Sequence, residues 1–213
     1  MEMNIDAITQ AVLKALQNNE TNNDNLIPVG ISNRHIHLSR EDVDTLFGAG
    51  YELSPMKDLS QPGQYACKET LTIVGPSLRP IENVRVLGPV RKASQVEISR
   101  TDSYTLKVKP SVRESGKIEG SAPITIIGPK GIVQLKEGCI IANRHIHMSL
   151  EDGERFGIKD NEYVTVDAEG ERRTRFFDVQ VRVHKDFRLE MHLDTDDANA
   201  AALKNGSMVK IVK

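Results

Sequence analysis

The 213-residue sequence is poor in aromatic and sulfur-containing side chains. It has no tryptophan, its aromatic residues amount to 4%, and its two cysteines, Cys67 and Cys139, stand far apart. Such a pair forms neither a CxxC motif nor a disulfide framework, so we expect the protein to reside in a reducing cytoplasm. A chain of this length buries roughly 70% of its unfolded surface and needs no disulfide to fold.

Long apolar runs and one-sided charge are also missing. No segment reaches the ~20 apolar residues of a membrane span, and Glu2 and Asp6 stand where a secretory signal would be basic. The net charge of -2 argues against nucleic acid or a membrane as a main partner. The GxxxxGK, GxGxxG and GxSxG motifs are absent, which excludes two common nucleotide loops and the hydrolase nucleophile elbow.

Short strand-like segments make up most of the chain after residue 27. Runs rich in β-branched residues, such as ETLTIV at 69–74 and PITII at 123–127, alternate with Gly-Pro turns. Helical patterns are short: Ser39 and Ser149 each open one with an acidic residue three positions later, and residues 194–205 end before Gly206. We predict a mainly β protein with a few short helices, built as two related antiparallel β-barrel domains.

The N-terminal segment has a different texture. Residues 4–18 carry apolar side chains at helical spacing, and a polar, turn-like stretch follows them. We therefore assign residues 1–26 to an amphipathic helix and linker. Two interpretations stay open: a helix that packs on the body of the protein, and a detachable peptide that docks on a partner surface.

A repeat organises the rest of the chain. The string NRHIH occurs at 33–37 and again at 143–147, and each copy is followed by a serine, an acidic helix start and Phe-Gly. We predict a first barrel half over residues 27–120 and a second over 121–213, packed around a shared site. A variant of this division, in which C-terminal strands complete the first barrel, stays open.

Each NRHIH string contains a His-x-His pair suited to binding a metal. On a strand, residues two apart point to the same face, so both imidazoles of a pair can converge on one ion. The four histidines of the two pairs are His35, His37, His145 and His147. A catalytic zinc usually takes three protein ligands, and Glu97 and His192, both on strand-like stretches, are the candidates for the third positions. His184 we place at the surface.

Two carboxylates compete with those candidates. Glu41 and Glu151 follow the two pairs in a pattern seen on cupin metal strands, but both stand at a helix start, where the helix dipole favours an acid in any case.

Basic residues at 85–100 surround Glu97 in the sequence, and their guanidinium groups match phosphate oxygens. The sequence therefore indicates an anion site beside a metal pair, or a solvated basic strand edge.

Longer stretches resemble one family. The segments GISNRHIHLS, QPGQYA, NVRVLGPVRKASQVEISRTD, NRHIHMS and RLEMHLDTDDANAA are similar to PduL-type phosphate propanoyltransferases, the phosphotransacylases of bacterial microcompartments. The resemblance implies two β-barrel domains around a dinuclear zinc site and reversible acyl transfer, propanoyl or acetyl, between coenzyme A and phosphate. It also implies a bacterial cytoplasmic enzyme, inside a microcompartment when residues 1–26 act as an encapsulation peptide on shell or core proteins.

The resemblance also assigns roles to residues. One zinc would be held by His35, His37 and Glu97, and the other by His145, His147 and His192. Arg91 would bind phosphate as a catalytic residue. Coenzyme A would contact Ile31, Ser32, Asn33, Arg85 and Asn199. We expect a homo-oligomer, with a dimer as the simplest assembly.

Other protein classes fit the histidine pairs. A cupin-like two-domain metal oxygenase would complete its ligand set within each half and consume oxygen. A thioester metallohydrolase would release acid without phosphate. A metal-stapled scaffold would hold its ions with saturated ligation and lose its fold on chelation.

Overall fold

The computed structural model describes residues 25–212, and β-strands dominate that range. The strands are β1 (Leu26–Ser32), β2 (His35–His37), β3 (Pro55–Asp58), β4 (Tyr65–Val74), β5 (Pro80–Gly88), β6 (Gln95–Glu97), β7 (Val112–Arg113), β8 (Ala122–Ile127), β9 (Ile132–Ala142), β10 (His145–Met148), β11 (Tyr163–Ala168), β12 (Thr174–Val183), β13 (Glu190–Asp194) and β14 (Met208–Val212). The helices are α1 (Arg40–Phe47), α2 (Arg100–Leu106), α3 (Leu150–Phe156) and α4 (Thr195–Ala200).

The strands close into two barrels. One barrel has the order β1-β13-β10-β12-β11-β14. In the other, β4, β5, β2, β6, β9 and β8 pair in turn, and β8 closes the ring by pairing again with β4. Each barrel encloses its own apolar cluster, with Ile36 fully buried in one and Ile146 in the other. The predicted mainly β, two-barrel fold is thus confirmed.

The pairing directions inside the barrels differ from the prediction. Each barrel is mixed, because β1 and β10 run parallel to β13 and β12, while β2 and β6 run parallel to β5 and β9. The remaining pairs that close the two rings are antiparallel. The two rings share one pattern, in which β2 corresponds to β10 and β6 to β13. The barrels are therefore related, but they are not purely antiparallel.

The two sheets do not divide at residue 120. Strands β8 and β9 belong to the first barrel, whereas β1 pairs with β13 and β14 in the second. An N-terminal strand thus completes the C-terminal barrel, the reverse of the variant in which C-terminal strands complete the first. The chain crosses between the barrels just before each His-x-His strand. Strand β1 of the second barrel leads into β2 of the first, and β9 of the first barrel leads into β10 of the second.

The helices begin where serine and aspartate can cap them. Ser39 and Ser149 accept hydrogen bonds from the backbone N–H groups of Asp42 and Asp152, as predicted. Helix α2 was not predicted, although Ser99 begins it with a full capping box. Helix α4 is shorter than the predicted 194–205. The predicted helix and linker at 1–26 lie almost entirely outside the described residues.

No helix among residues 25–212 has the length and apolarity required to cross a bilayer.

Candidate metal centre

The two His-x-His strands hold their imidazoles on the face opposite a barrel core. Ile36 and Ile146, the central residues of β2 and β10, are fully buried in the two apolar clusters. Because side chains alternate along a strand, the flanking histidines point away from those cores. The fold therefore fixes each pair by burying the residue between its two members.

The first cluster joins a histidine pair to a carboxylate. His35 lies directly opposite Glu97 across the antiparallel β2–β6 pair. Nε2 of His35 is 3.4 Å from Oε2 of Glu97, and Nε2 of His37 is 3.9 Å from Oε1. The three residues are buried, and one donor atom from each lies within 4.8 Å of the others.

The second cluster repeats this arrangement with three imidazoles. His145 lies opposite His192 across the antiparallel β10–β13 pair. The ring centroids of His145, His147 and His192 are 4.7 to 5.0 Å apart, and their donor atoms also fall within 4.8 Å of one another. Both predicted ligand sets are therefore gathered in space.

The first histidine of each pair is oriented by a backbone carbonyl. Nδ1 of His35 lies 2.8 Å from the Asn33 carbonyl oxygen, and Nδ1 of His145 lies 2.8 Å from that of Asn143. A carbonyl oxygen only accepts, so Nδ1 carries a proton, and whenever the ring is neutral its Nε2 keeps a lone pair for another partner. This second contact is typical of metal-binding histidines, whose other ring nitrogen is hydrogen-bonded.

Burial and repulsion between imidazoles keep two members of the second cluster, His145 and His147, neutral. Burial, followed by repulsion from His192, lowers the pKa of His145 to about 4. Burial, followed by repulsion from His145 and His192, lowers the pKa of His147 to about 2. Neutral imidazole is the form that binds a metal, so these two side chains need to lose no proton at neutral pH.

In the first cluster, the Glu97 side chain is kept ionised beside two imidazoles. Burial alone would raise the pKa of Glu97, but the charge of His35 and its hydrogen bond hold that pKa well below the usual range. Burial and the neighbouring His35 lower the pKa of His37 well below its usual value. For His35 burial acts downward, yet Glu97 raises its pKa overall. An ionised carboxylate is thus kept in a buried position, where a cation would stabilise it.

Several buried ring nitrogens in these clusters lack hydrogen-bond partners. Among the described residues these are Nδ1 of His37, Nδ1 of His147 and Nε2 of His192. Oε2 of Glu190 lies 2.9 Å from Nε2 of His192, but the pair does not have hydrogen-bond geometry. Buried polar atoms without partners are costly and rare, and they recur at metal and catalytic sites.

A single cavity touches both clusters. Its lining includes His35 and Glu97 from one barrel and His145 and His192 from the other. Ser32 and Asn33 also line it, at the point where β1 leads into β2. A molecule in this cavity would therefore meet both candidate metal sites at once.

Arg91 stands close to the first cluster. Its backbone N–H donates to the Leu38 carbonyl, and its Nη1 donates to Ser115 Oγ at 3.3 Å. The Ser115 hydroxyl in turn donates to Oε1 of Glu97 at 2.8 Å. Burial lowers the pKa of Arg91, Glu97 opposes that shift, and Arg182 adds to it. The guanidinium is thus held near the buried carboxylate by one shared hydroxyl.

The other predicted contact residues are spread more widely. Arg85 pairs with His35 across β2–β5, and its Nη1 donates to the carbonyls of Cys67 and Lys68. Ile31 donates its N–H to the Asn205 side chain at 2.7 Å, and Asn199 is exposed near the end of α4. Neither Arg85, Ile31 nor Asn199 is among the residues that line the cavity.

Sequence reasoning missed the polar residues that support the clusters. Gln95 Nε2 donates to Oε1 of Glu97 at 2.6 Å, and Glu190 approaches His192. Each lies two residues before its cluster member on the same strand, so the period of two that revealed His-x-His could also have revealed them. Ser115 lies outside the strands and follows no such pattern.

Other candidate residues are placed away from the clusters. The exposed side chains of Glu41 and Glu151 stand in the first turns of α1 and α3, and His184 is exposed as expected. Burial, followed by repulsion from Glu69, raises the pKa of the Cys67 thiol to about 11. A thiol in that state is a poor nucleophile at neutral pH.

Fold and site together define a two-barrel protein with two three-residue candidate metal clusters on a common cavity. The family model for phosphate propanoyltransferase matches residues 28–204. A phosphate propanoyltransferase of Thermotoga maritima is 62% identical over 88% of this chain and 89% of its own length. One from Lachnoclostridium phytofermentans is 55% identical over 98% of each chain, and one from Enterococcus faecalis is 43% identical over 98% and 99%.

The chain belongs to the phosphate propanoyltransferase family. The resemblance read from the sequence is thereby confirmed, and the chain is an enzyme of the acyltransferase class.

Proposed function

We propose that the protein transfers an acyl group reversibly between coenzyme A and inorganic phosphate, with propanoyl-CoA or acetyl-CoA as the thioester. The observation that supports this most directly is the cavity lined by members of both clusters. A thioester carbonyl that reached this cavity would lie against both clusters, which suits a transfer in which reactants are held together.

We propose zinc as the metal, with two ions per chain. His35, His37 and Glu97 would hold one ion, and His145, His147 and His192 the other. Three nitrogen or oxygen ligands that leave an open position suit a catalytic zinc. When bound, the zinc ions supply Lewis-acid polarisation and stabilise the thiolate character of the leaving sulfur.

The residues of the chain would position the reactants. Among residues 25–212 no carboxylate contacts Arg91 directly, so its guanidinium can bind and orient phosphate. A phosphate oxygen attacks the thioester carbonyl carbon, a C–O bond forms and the C–S bond breaks. The phosphate proton passes to the departing thiolate, so the products are an acyl phosphate and free coenzyme A. We propose direct transfer, because both cysteines among the described residues are buried with raised thiol pKa values and are poor candidates for an acyl-enzyme.

The coenzyme would approach along the end of β1. Ser32, the last residue of β1, and Asn33, which follows it, line the cavity, and Ile31 precedes Ser32 on that strand. We propose that these residues, together with Arg85 and Asn199, contact coenzyme A. The exposed position of Asn199 suits a contact with the distal part of a long ligand, outside the cavity itself.

The competing classes are less well supported. Glu97 and His192 complete the two clusters, whereas Glu41 and Glu151, which a cupin-like interpretation would use, stand on helices. A thioester hydrolase needs no phosphate-binding cation, yet Arg91 is held close to Glu97. Encapsulation through residues 1–26 in a microcompartment and assembly as a homodimer stay predictions.

The decisive experiment measures free thiol released from propanoyl-CoA and acetyl-CoA with and without phosphate, together with the metal content of the same sample. We expect release that depends on phosphate and about two zinc ions per chain. Thiol release without phosphate would indicate a hydrolase. Iron or manganese with oxygen consumption would indicate the oxygenase.

A further inference from the structure

Two neighbouring residues after β7 contact an arginine from each barrel. Ser115 accepts a hydrogen bond from Nη1 of Arg91 at 3.3 Å, and Oε1 of Glu114 lies 3.7 Å from Nη2 of Arg182. Arg91 follows β5 of the first barrel, whereas Arg182 lies on β12 of the second. One short segment thus contacts two guanidinium groups, one from each barrel.

Arg182 also stands beside the three-histidine cluster. It is the register partner of His147 in the parallel β10–β12 pair, so both side chains emerge on the same face of the sheet. Its guanidinium carbon lies 5.6 Å from the centre of the Phe187 ring, and that ring lies 4.3 Å from the His147 ring. Phe187 therefore contacts both groups, the guanidinium through a cation–π contact and His147 through a tilted ring contact.

The positive charge of Arg182 acts on the site. It contributes to the lowered pKa of Arg91, after burial, and to those of His145 and His147, after burial and the neighbouring histidines. Its only described carboxylate partner, Glu114, is also bound by Lys117 at 2.5 Å. One carboxylate shared between two cations leaves an excess of positive charge that a bound anion would neutralise.

We propose that Arg182 is a second phosphate-binding residue, which with Arg91 holds the phosphate from the side of the three-histidine cluster. This inference rests on the proposed function, because it deepens the assignment of the phosphate site. Two guanidinium groups can engage several oxygens of one dianion, which gives orientation as well as affinity. Phosphate would compete with the Glu114 carboxylate for the Arg182 guanidinium.

The test compares Arg182→Gln and Arg182→Lys with Arg175→Gln, all zinc-loaded. Arg175 lies on the same strand and pairs with Asp167 at the exposed surface, so it controls for loss of an arginine from β12. We expect Arg182→Gln to raise the phosphate KM at least tenfold and to change the acyl-CoA KM less than twofold. Arg182→Lys should recover part of the loss, and Arg175→Gln should match the wild type.

A second measurement tests phosphate binding without turnover. Calorimetric titration of the zinc-loaded proteins with inorganic phosphate alone should show weaker binding by Arg182→Gln, in proportion to its KM. Glu114→Gln removes the competing carboxylate and should lower the phosphate KM, an effect that a purely structural ion pair would not produce. If the wild type binds phosphate but releases no thiol, the proposed function fails while the titration still decides the role of Arg182.

Three outcomes would overturn the proposal. One is an unchanged phosphate affinity in Arg182→Gln at wild-type zinc content. Another is an equal rise of both KM values, which would indicate general disruption of the site. The third is a Glu114→Gln variant that weakens phosphate binding as much as Arg182→Gln does, since the two residues would then form a structural unit.

Discussion

Glu97 occupies in the first barrel the position that His192 occupies in the second. Each lies directly opposite the first histidine of a His-x-His pair, His35 in one case and His145 in the other. The related barrels therefore build two clusters of the same shape that differ by one negative charge. We expect the two candidate metal sites to share their geometry and to divide the chemistry.

Removal of either position should cost one metal ion. Glu97→Ala and His192→Ala each leave two ligands, so we expect about one zinc equivalent per chain instead of two, measured by metal analysis after gel filtration. His35→Ala should behave in the same way. Glu97→His should restore two equivalents while lowering the rate, because the carboxylate charge is lost although the ligand count is kept.

The control for these variants is Glu41→Ala, which alters an exposed carboxylate in the first turn of α1. It should retain both metal equivalents. An unchanged metal content in Glu97→Ala would refute the ligand assignment, and loss of metal in Glu41→Ala would revive the cupin-like interpretation.

Local sequence periodicity predicted those parts of the site whose residues lie together on one strand. The His-x-His pairs follow from the period of two, and Ile36 and Ile146 reach the cores as that period requires. Periodicity does not encode which strand pairs with which, so the parallel pairs and the placement of β1 in the second barrel escaped prediction. Helix α2 also escaped, since residues 100–106 show no clear apolar repeat.

Removal of the Arg91 guanidinium should separate phosphate binding from metal binding. We expect Arg91→Ala to raise the phosphate KM and lower kcat by at least tenfold, because the phosphate loses both affinity and orientation. Zinc content should stay near wild type, since Arg91 is not among the candidate ligands. Lys92→Ala, at an exposed neighbouring position, is the matched control. Loss of metal in Arg91→Ala would show that its role has been misplaced.

The buried cysteines should take no part in catalysis. Burial raises the pKa of the Cys139 thiol to about 12, and burial is also the main cause of the raised pKa of Cys67. Both thiols therefore remain protonated at pH 8. We expect a thiol reagent to label the native protein slowly at pH 8 and rapidly after unfolding. Cys67→Ala should keep most of the activity, because a protonated, buried thiol takes no part in the proposed reaction.

Direct transfer also makes a prediction for pre-steady-state kinetics. Mixing enzyme with acyl-CoA in the absence of phosphate should release no burst of thiol. A stoichiometric burst would contradict direct transfer, and its disappearance in Cys67→Ala would identify that residue as the nucleophile.

A carboxylate outside the two clusters should make the stability of the first barrel depend on pH. Glu69 on β4 is buried and accepts hydrogen bonds from Tyr51 Oη at 2.9 Å and from the Ser54 N–H at 3.0 Å. Burial acts to raise the pKa of Glu69, but hydrogen bonds from the backbone, Ser54 and Tyr51 lower it overall. The lowered pKa means that the folded state binds this proton less readily than the unfolded state does.

The ionised form therefore stabilises the fold above the unfolded pKa of about 4.3, and this contribution is lost as pH falls through the lower folded value. We expect Glu69→Gln to lower the free energy of unfolding by about 1–3 kcal/mol at pH 7, since charged hydrogen bonds are replaced by neutral ones. Urea unfolding from pH 7 to pH 3 should show the difference shrinking below pH 4. Glu82→Gln, at an exposed position on β5, should show no difference at any pH. A Glu69→Gln difference that stayed constant across the range would mean that packing, and not the carboxylate charge, carries the effect.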